Sequence, residues 1–296
     1  MLPLSPWQSF NQPKTVEEKY SSIITPRNKL FEVNFKEIWD YRDLLLLFVK
    51  RDIVVQYKQT VLGPLWYFVR PILTVLMNII VFGSIAKMST DGIPRILFYL
   101  SGNVLWFYFS DCLNQTSSTF TANQSMFGKV YFPRLVVPIS KVFSNLLRFA
   151  IQLGLFAVIY LFFYFGETAI HPNWYVLLTP LFVVILAGLG LGFGILVSSM
   201  TTKYRDMSIL FTFIVQLWMY GTPIVYPLSM VPEGTLRTFI LLNPMTPVVE
   251  AFKFATLGQG YFSWWALAYS FAFMSLLLVV GVVVFNKVQR NFMDTV

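Results

Sequence analysis

Residues 48–71 read FVKRDIVVQYKQTVLGPLWYFVRP, and this stretch decides how the chain meets a membrane. With residues 51–61 helical, Ile53, Val54, Tyr57 and Val61 share one face. Arg51, Asp52, Lys58 and Gln59 take the other face, with Val55 a misfit among them. Such a helix lies in the membrane interface with its cations toward anionic headgroups. An ordinary basic juxtamembrane segment would carry the same residues. Gly63-Pro64 then ends the helix, because proline lacks a backbone donor and disfavours helix in the residue before it. Beyond the break, Leu65-Trp66-Tyr67 suits the headgroup level, and the chain turns into the bilayer.

The rest of the chain agrees with that entry point. It is 56% hydrophobic and only 12% charged, with a mean hydropathy of +0.63, which excludes a soluble domain. The net charge of +8 is spread over loops beside apolar spans, so a membrane surface explains it better than nucleic acid. Cys112 is the only cysteine, which rules out an internal disulfide and a cysteine-based metal site. Residues 1–35 are polar, proline-punctuated and carry Glu17-Glu18-Lys19, without a signal peptide's apolar core. They read as a cytoplasmic N-terminal extension.

A span needs about 20 mostly apolar residues. On that basis six candidates fall at 66–87, 96–117, 142–165, 174–199, 207–227 and 262–286. Arg70-Pro71 is expected to interrupt the first near its start. The second is the most polar, with Asn103, Asp111 and Asn114, and the fifth ends in Gly221-Thr222-Pro223, which predicts an unwound outer end. The fold class is therefore an all-α polytopic membrane protein. An interface-helix region (36–64) leads into a six-helix membrane domain (65–290), followed by a short tail (291–296).

Charge asymmetry orients the set. Lys14, Lys19, Arg27, Lys29, Lys36, Arg42, Lys50, Arg51, Lys58 and Arg70 come before or at the start of the first span. Lys129, Arg134, Lys141, Lys203, Arg205, Lys287 and Arg290 fall on the same side, against Lys87, Arg95, Arg237 and Lys253 opposite. The positive-inside rule puts both termini in the cytoplasm.

Two connections stand out. Residues 118–141 contain Ser125, Met126, Phe127, Lys129, Tyr131, Phe132 and Arg134. A short helix there, with an exposed aromatic beside cations, could dock into a groove of a partner protein, or simply sit at the interface. The long outer connection, 228–261, holds two apolar pieces, Leu236–Leu242 and Val248–Leu257, split by Asn243-Pro244-Met245-Thr246-Pro247. Each is too short to span, so re-entrant or interfacial helices are expected.

Catalytic chemistry is missing. No G-x-x-x-x-G-K-[ST] phosphate loop occurs, and the run Gly188, Gly190, Gly192, Gly194 lies within the fourth span, where small residues let helices approach closely. His171, the only histidine, falls in a short outer loop. At membrane depth the ionisable groups are Asp111 and Arg148. Asp111 is expected toward the outer end and Arg148 toward the inner, too far apart to pair, with Arg148 free to snorkel. The aromatic clusters Trp106-Phe107-Tyr108-Phe109 and Tyr160–Phe165 are expected near outer ends of spans. They serve there as interfacial belts or, for residues such as Trp106, Tyr108, Phe109 and Tyr164, as the lining of a passage that stacks on sugar rings.

The residues RDIVVQYKQTVLGPLW, the segment FGKVYFPRLVVPIS and the outer LLNPMTPVVEAFK, set among six spans, together resemble the ABC-2 type membrane permease of bacterial polysaccharide and polyol-phosphate exporters. The resemblance covers about residues 30–290 and is nearest the O-antigen (lipopolysaccharide) type, with teichoic acid and capsule export close by. It implies a homodimer in the bacterial inner membrane with two copies of a separate nucleotide-binding ATPase, which would hold ATP and Mg. No cofactor is expected in this chain. It further implies that Ser125–Arg134 form the segment coupling to the ATPase, with Phe127 and Tyr131 as groove contacts. Arg51, Asp52, Tyr57, Lys58 and Trp66 would guide a lipid-linked glycan to the channel. Residues 228–258, with Pro232, Asn243, Pro244, Glu250 and Lys253, would form the outer gate. Drug or small-lipid export by the same architecture stays open, as do an uncoupled transporter and a membrane transferase using Asp111 or Glu250.

Overall fold

The computed structural model describes residues 35–58, 60–127, 129–166, 170–202, 204 and 206–292. Outside that set lie nearly all of the expected extension and tail, Gln59, Lys203 and Arg205, and the side chains of Tyr57 and Arg290. Among the described residues every regular element is helical. In chain order these are α1 (Phe35–Asp40), α2 (Arg42–Tyr57), α3 (Trp66–Asn78), α4 (Arg95–Ser117), α5 (Thr119–Ala122) and α6 (Gln124–Phe127). They are followed by α7 (Val136–Phe165), α8 (Thr179–Thr201), α9 (Met207–Trp218), α10 (Thr235–Leu242), α11 (Thr246–Leu257) and α12 (Trp264–Phe292).

α2 ends at Tyr57, four residues short of the expected 61. The backbone is extended at Lys58 (ψ 126°) and Val61 is fully exposed. α2 is held as helix by packing along α7, and its last side-chain bond to that neighbour is at Gln56. Gly63-Pro64 therefore does not end α2 but opens the next helix: Gly63 takes φ +49°, a left-handed conformation open to glycine, and Pro64 follows in a single 3-10 turn that leads into α3. α3 then runs through Pro71 without interruption and widens into a π-helical turn over Ile79–Ile85. A proline this close to the helix start forfeits one bond, to the Tyr67 carbonyl, and Pro71 is packed inside the bundle.

Among the described residues, five helical stretches are long and apolar enough to cross a membrane: Gly63–Ile85, Arg95–Ser117, Val136–Phe165, Trp174–Thr201 and Trp264–Gln289. The expected span at 207–227 is different. α9 has 12 residues, about 18 Å of helix against a hydrocarbon core of about 30 Å. Its continuation through Thr222–Val225 is irregular and buried. Thr201 bonds the Ser117 carbonyl at one end of α4 (3.3 Å), and Ser229 bonds Asp91 just before its other end (2.7 Å). Residues 206–228 therefore return along the length of α4, part as helix and part as irregular chain, as Gly221-Thr222-Pro223 predicts.

α4 is the axis of the bundle, enclosed by α3, α7, α8 and α11. This explains why the most polar span is also the most buried: Asn103, for example, donates to the Tyr99 carbonyl (2.8 Å) instead of meeting lipid. The glycines of α8 set its two contacts. A Cβ at Gly188 would lie 2.3 Å from Met274 Sδ on α12, and one at Gly194 would lie 2.5 Å from Thr116 Cβ on α4. The helix thus presses against a neighbour on opposite faces. One end of the bundle gathers α1, α2, α5, α6 and the C-terminal part of α12, and is called here the basic end. The opposite end gathers residues 86–94, 170–173 and 219–262.

Candidate functional site

At the basic end the chain leaves α4 through the single turns α5 and α6 and an irregular stretch to Arg134. Phe127 differs from the expectation of an exposed aromatic, being 3% exposed. Its ring meets Phe120 (6.0 Å between centroids) and Phe132 (5.7 Å), and Phe132 meets Phe48 of α2 at 5.9 Å. The Arg134 guanidinium lies 5.4 Å over Phe127 and donates to the Gln289 carbonyl (3.0 Å), tying this segment to the end of α12. Burial holds the Arg134 pKa below its ordinary value. A four-residue turn has no second face for a core of its own, so its aromatic fills the space between α2, α8 and α12. What faces outward is Ser125, Lys129, Val130 and Tyr131, with Met126 half-buried. Tyr131 donates to Glu37 Oε1 of α1 (3.4 Å), and partial burial, then the Glu37 charge, raise its pKa.

A ladder of charges links α2, α7, α4 and α3. Asp52 accepts from Lys141 Nζ (2.6 Å) and from Arg51 (3.0 Å). One turn on, Gln56 accepts from Arg148. Asp52 thus turns toward α7 and away from the headgroups, and Arg51 stacks on Phe48 (4.8 Å). Lys58 and Trp66 stand exposed. Arg148 also pairs with Asp111 Oδ2 (3.6 Å), whose Oδ1 accepts from Arg70 (3.2 Å). The expected separation of Asp111 from Arg148 is therefore overturned. Successive spans reverse direction, so the C-terminal part of α4 and the N-terminal half of α7 lie at one end.

At the opposite end α10 and α11 form the expected pair of short helices, split at Asn243. Asn243 Nδ2 donates to the Gly221 carbonyl (3.0 Å) and Thr222 Oγ1 (2.8 Å), which fastens the hairpin to the irregular stretch after α9. Pro244 is buried and Pro232 exposed. Glu250 and Lys253, each 2% exposed, pair at 3.5 Å. Lys253 also donates to the Pro223 carbonyl and lies 4.0 Å over Phe98, while Glu250 Oε2 accepts from the Tyr261 N–H (3.2 Å). Burial pushes the Glu250 pKa up and the Lys253 pKa down, and their mutual attraction opposes both shifts. The pair borders a cavity of about 230 Å³ that Asp91, Ser229, Arg237 and Tyr261 also line.

Trp106, Tyr108 and Phe109 do not lie at an outer end. They sit at mid-length in α4, buried, with Tyr108 against Phe149 (5.0 Å) and Phe109 against Trp218 (5.3 Å). Consecutive residues cover most of a helix's circumference, and α4 is enclosed all round, so each finds a neighbouring helix rather than an opening. Tyr164 is half-exposed near the far end of α7 and stacks on Tyr160 (6.2 Å).

Comparison with known proteins gives this architecture a family. The model of the ABC-2 type transporter family matches residues 43–257, from the first turn of α2 to the last residue of α11. The O-antigen export system permease protein RfbA of Myxococcus xanthus is 29% identical over 219 residues, covering 74% of this chain and 82% of that protein. A protein of the same name from Klebsiella pneumoniae is 28% identical over 256 residues, covering 85% and 94% respectively. The polysialic acid transport protein KpsM of Escherichia coli is 26% identical over 248 residues, covering 83% and 93%. The matched region takes in the buried basic-end segment, the charge ladder and the paired helices of the opposite end, and the chain belongs to the ABC-2 type transporter family of membrane proteins.

Proposed function

We propose that the chain is the membrane permease of an ATP-driven exporter that carries a lipid-linked polysaccharide of the O-antigen kind across the bacterial inner membrane. The observation that carries this reading is the similarity, over 74–85% of the chain, to proteins named for two polysaccharide systems. The basic end belongs in the cytoplasm on the strength of its cations, together with both termini. ATP and Mg belong to a separate nucleotide-binding subunit, since the sequence has no phosphate loop. The docking surface for that subunit is the exposed Lys129–Val130–Tyr131 edge, held rigid from behind by Phe127, Phe132 and Arg134. The working unit is a homodimer with two ATPase copies, as in the exporters this chain resembles. The two carboxylates that a transferase would need are both engaged: Asp111 is shared by two arginines and Glu250 is locked to Lys253.

Deleting the gene and following the glycan tests the reading. With export running through this chain, its deletion traps intact lipid-linked chains on the cytoplasmic side, and the wild-type gene restores them to the surface. Normal surface glycan in a strain with no second exporter overturns it.

A further inference from the structure

One face of α3 carries a single charge in an apolar field. Trp66, Arg70, Leu73 and Met77 follow one another at helical spacing, and each is about half exposed. Arg70 lies one turn past Trp66, about 6 Å deeper along the helix, within a stretch apolar enough to span. A cation at that depth is costly unless it is answered by negative charge. Arg70 is only half answered. It shares the carboxylate of Asp111 with Arg148, so two cations meet one anion. Further along the ladder, Arg51 and Lys141 again meet the single anion Asp52. Of the two arginines on Asp111, Arg148 is enclosed, at 15% side-chain exposure, and Arg70 is open, at 51%. The excess positive charge is therefore presented at Arg70.

The geometry is that of a held group. A snorkelling arginine extends toward water. This guanidinium lies 4.6 Å over the Phe107 ring and bonds Asp111 through Nη1 alone, which leaves its Nε and Nη2 donors for a ligand. Phosphate oxygens match such a fork of donors, and Leu73 and Met77 continue the same face toward the bilayer centre. We infer that Arg70 is the headgroup-binding residue of a lipid site on this face, which takes a phosphate-bearing lipid with its hydrocarbon chain along Leu73 and Met77. Naming the exported glycan's carrier as the occupant rests on the proposed function. A bilayer phospholipid offers the same chemistry.

The test uses the full chain in nanodiscs of phosphatidylcholine, titrated with polyprenyl diphosphate, unphosphorylated polyprenol or phosphatidylglycerol and read by native mass spectrometry. Polyprenyl diphosphate is expected to bind at least about tenfold more tightly than polyprenol. Arg70→Gln should abolish that preference, Arg70→Lys should keep part of it, and Lys287→Gln, which removes an exposed cation from the same end, should change nothing. Arg70→Gln leaves Asp111 paired with Arg148, and an unchanged thermal midpoint confirms that the variant folds. Displacement of polyprenyl diphosphate by equimolar phosphatidylglycerol upholds the site and assigns it to bilayer phospholipid. Equal binding by wild type and Arg70→Gln, or equal binding of polyprenol and its diphosphate, overturns the site. So does a variant whose only change is a weakened dimer, since a second copy would then cover this face. Glycan that still depends on the gene for export while Arg70→Gln binds normally removes the site alone. Normal surface glycan after deletion removes the export reading alone.

Discussion

Glu250 and Lys253 offer the most discriminating perturbation of the outer hairpin, because the two single variants should respond to pH in opposite directions. Both side chains are 2% exposed and their charges face one another at 3.5 Å. Removing one partner leaves an uncompensated buried charge, which costs about 3–5 kcal/mol. The Glu250→Gln, Lys253→Met double variant leaves neither charge. It keeps an acceptor for the Tyr261 N–H but strands the Pro223 carbonyl and the new amide's N–H donors, for a cost of about 1–3 kcal/mol. The double variant should therefore be more stable than either single one. The sign of the pH response follows from the shifted pKa values. Glu250 titrates above its ordinary range because it is buried, and higher still once Lys253 is gone. Lys253→Met should thus be least stable at alkaline pH and recover as falling pH passes the raised value and neutralises the carboxyl. Lys253 titrates below its ordinary range for the same cause, so Glu250→Gln should be least stable at acid pH and recover as rising pH neutralises the ammonium. Thermal midpoints of the purified full chain, taken from mildly acidic to mildly alkaline pH, read both effects. Parallel pH trends in the two single variants, or a double variant as unstable as the sum of its parts, would refute the buried pair as the fastening of this hairpin.

The remaining predictions concern the helix contacts and the basic end. Gly194→Ala places a Cβ 2.5 Å from Thr116 Cβ and 3.0 Å from the Leu113 carbonyl, so α8 must move off α4 at a cost of about 1–3 kcal/mol. Gly154→Ala, inside α7 where nothing lies within 4 Å, should stabilise by about 0.5–1 kcal/mol, and equal thermal midpoints for the two variants would contradict the packing. Phe127→Ala empties a buried ring site and should lower stability by about 3–5 kcal/mol. Tyr131→Ala, on the exposed edge, should leave the fold within about 0.5 kcal/mol and weaken capture of the ATPase subunit. Co-purification of that subunit with each variant separates the two roles, and a Tyr131→Ala protein that captures it normally removes this edge as its docking surface.

The elements most legible in the sequence are those set by local chemistry. Gly63-Pro64 marks the turn into the first span, because Gly63 takes positive φ and proline is suited to the first turn of the helix that follows. Asn243-Pro244 divides the outer apolar run into two helices because Pro244 lacks a donor and holds Asn243 extended (φ -68°, ψ 117°), and the alternating glycines of α8 announce close contacts on both its faces. Illegible were choices made by partners distant in the chain. Asp52 sits on the face of α2 that should meet headgroups, yet Lys141 claims it. Phe127 sits among cations in a polar loop, yet Phe120, Phe132 and Phe285 form an apolar hollow that draws it in. Trp106 to Phe109 read first as a belt and second as a lining, and only the enclosure of α4 shows that they pack against neighbouring helices.

The Arg70–Asp111–Arg148 cluster lies between these cases. Counted along the chain, the three residues belong to three different spans, and Asp111 is easily put at the wrong end. Counted from the basic end, they converge. Arg70 is four residues into α3, Asp111 is six residues from the finish of α4, and α7 sets out from the same end, so each charge lies a few turns inward of one surface. Alternating direction alone brings them to a common depth, and an intramembrane acid at that depth can be expected to find a cation there. What no count along the chain supplies is the ratio. Two arginines converge on one aspartate, the enclosed one is neutralised, and the open one is left on an apolar helix face with donors to spare. A cluster serving only to hold helices together would do better with a matched pair, since surplus charge at membrane depth is an energetic cost without a packing return. The imbalance, more than the presence of charge, marks this face of α3 as a place where an anion binds.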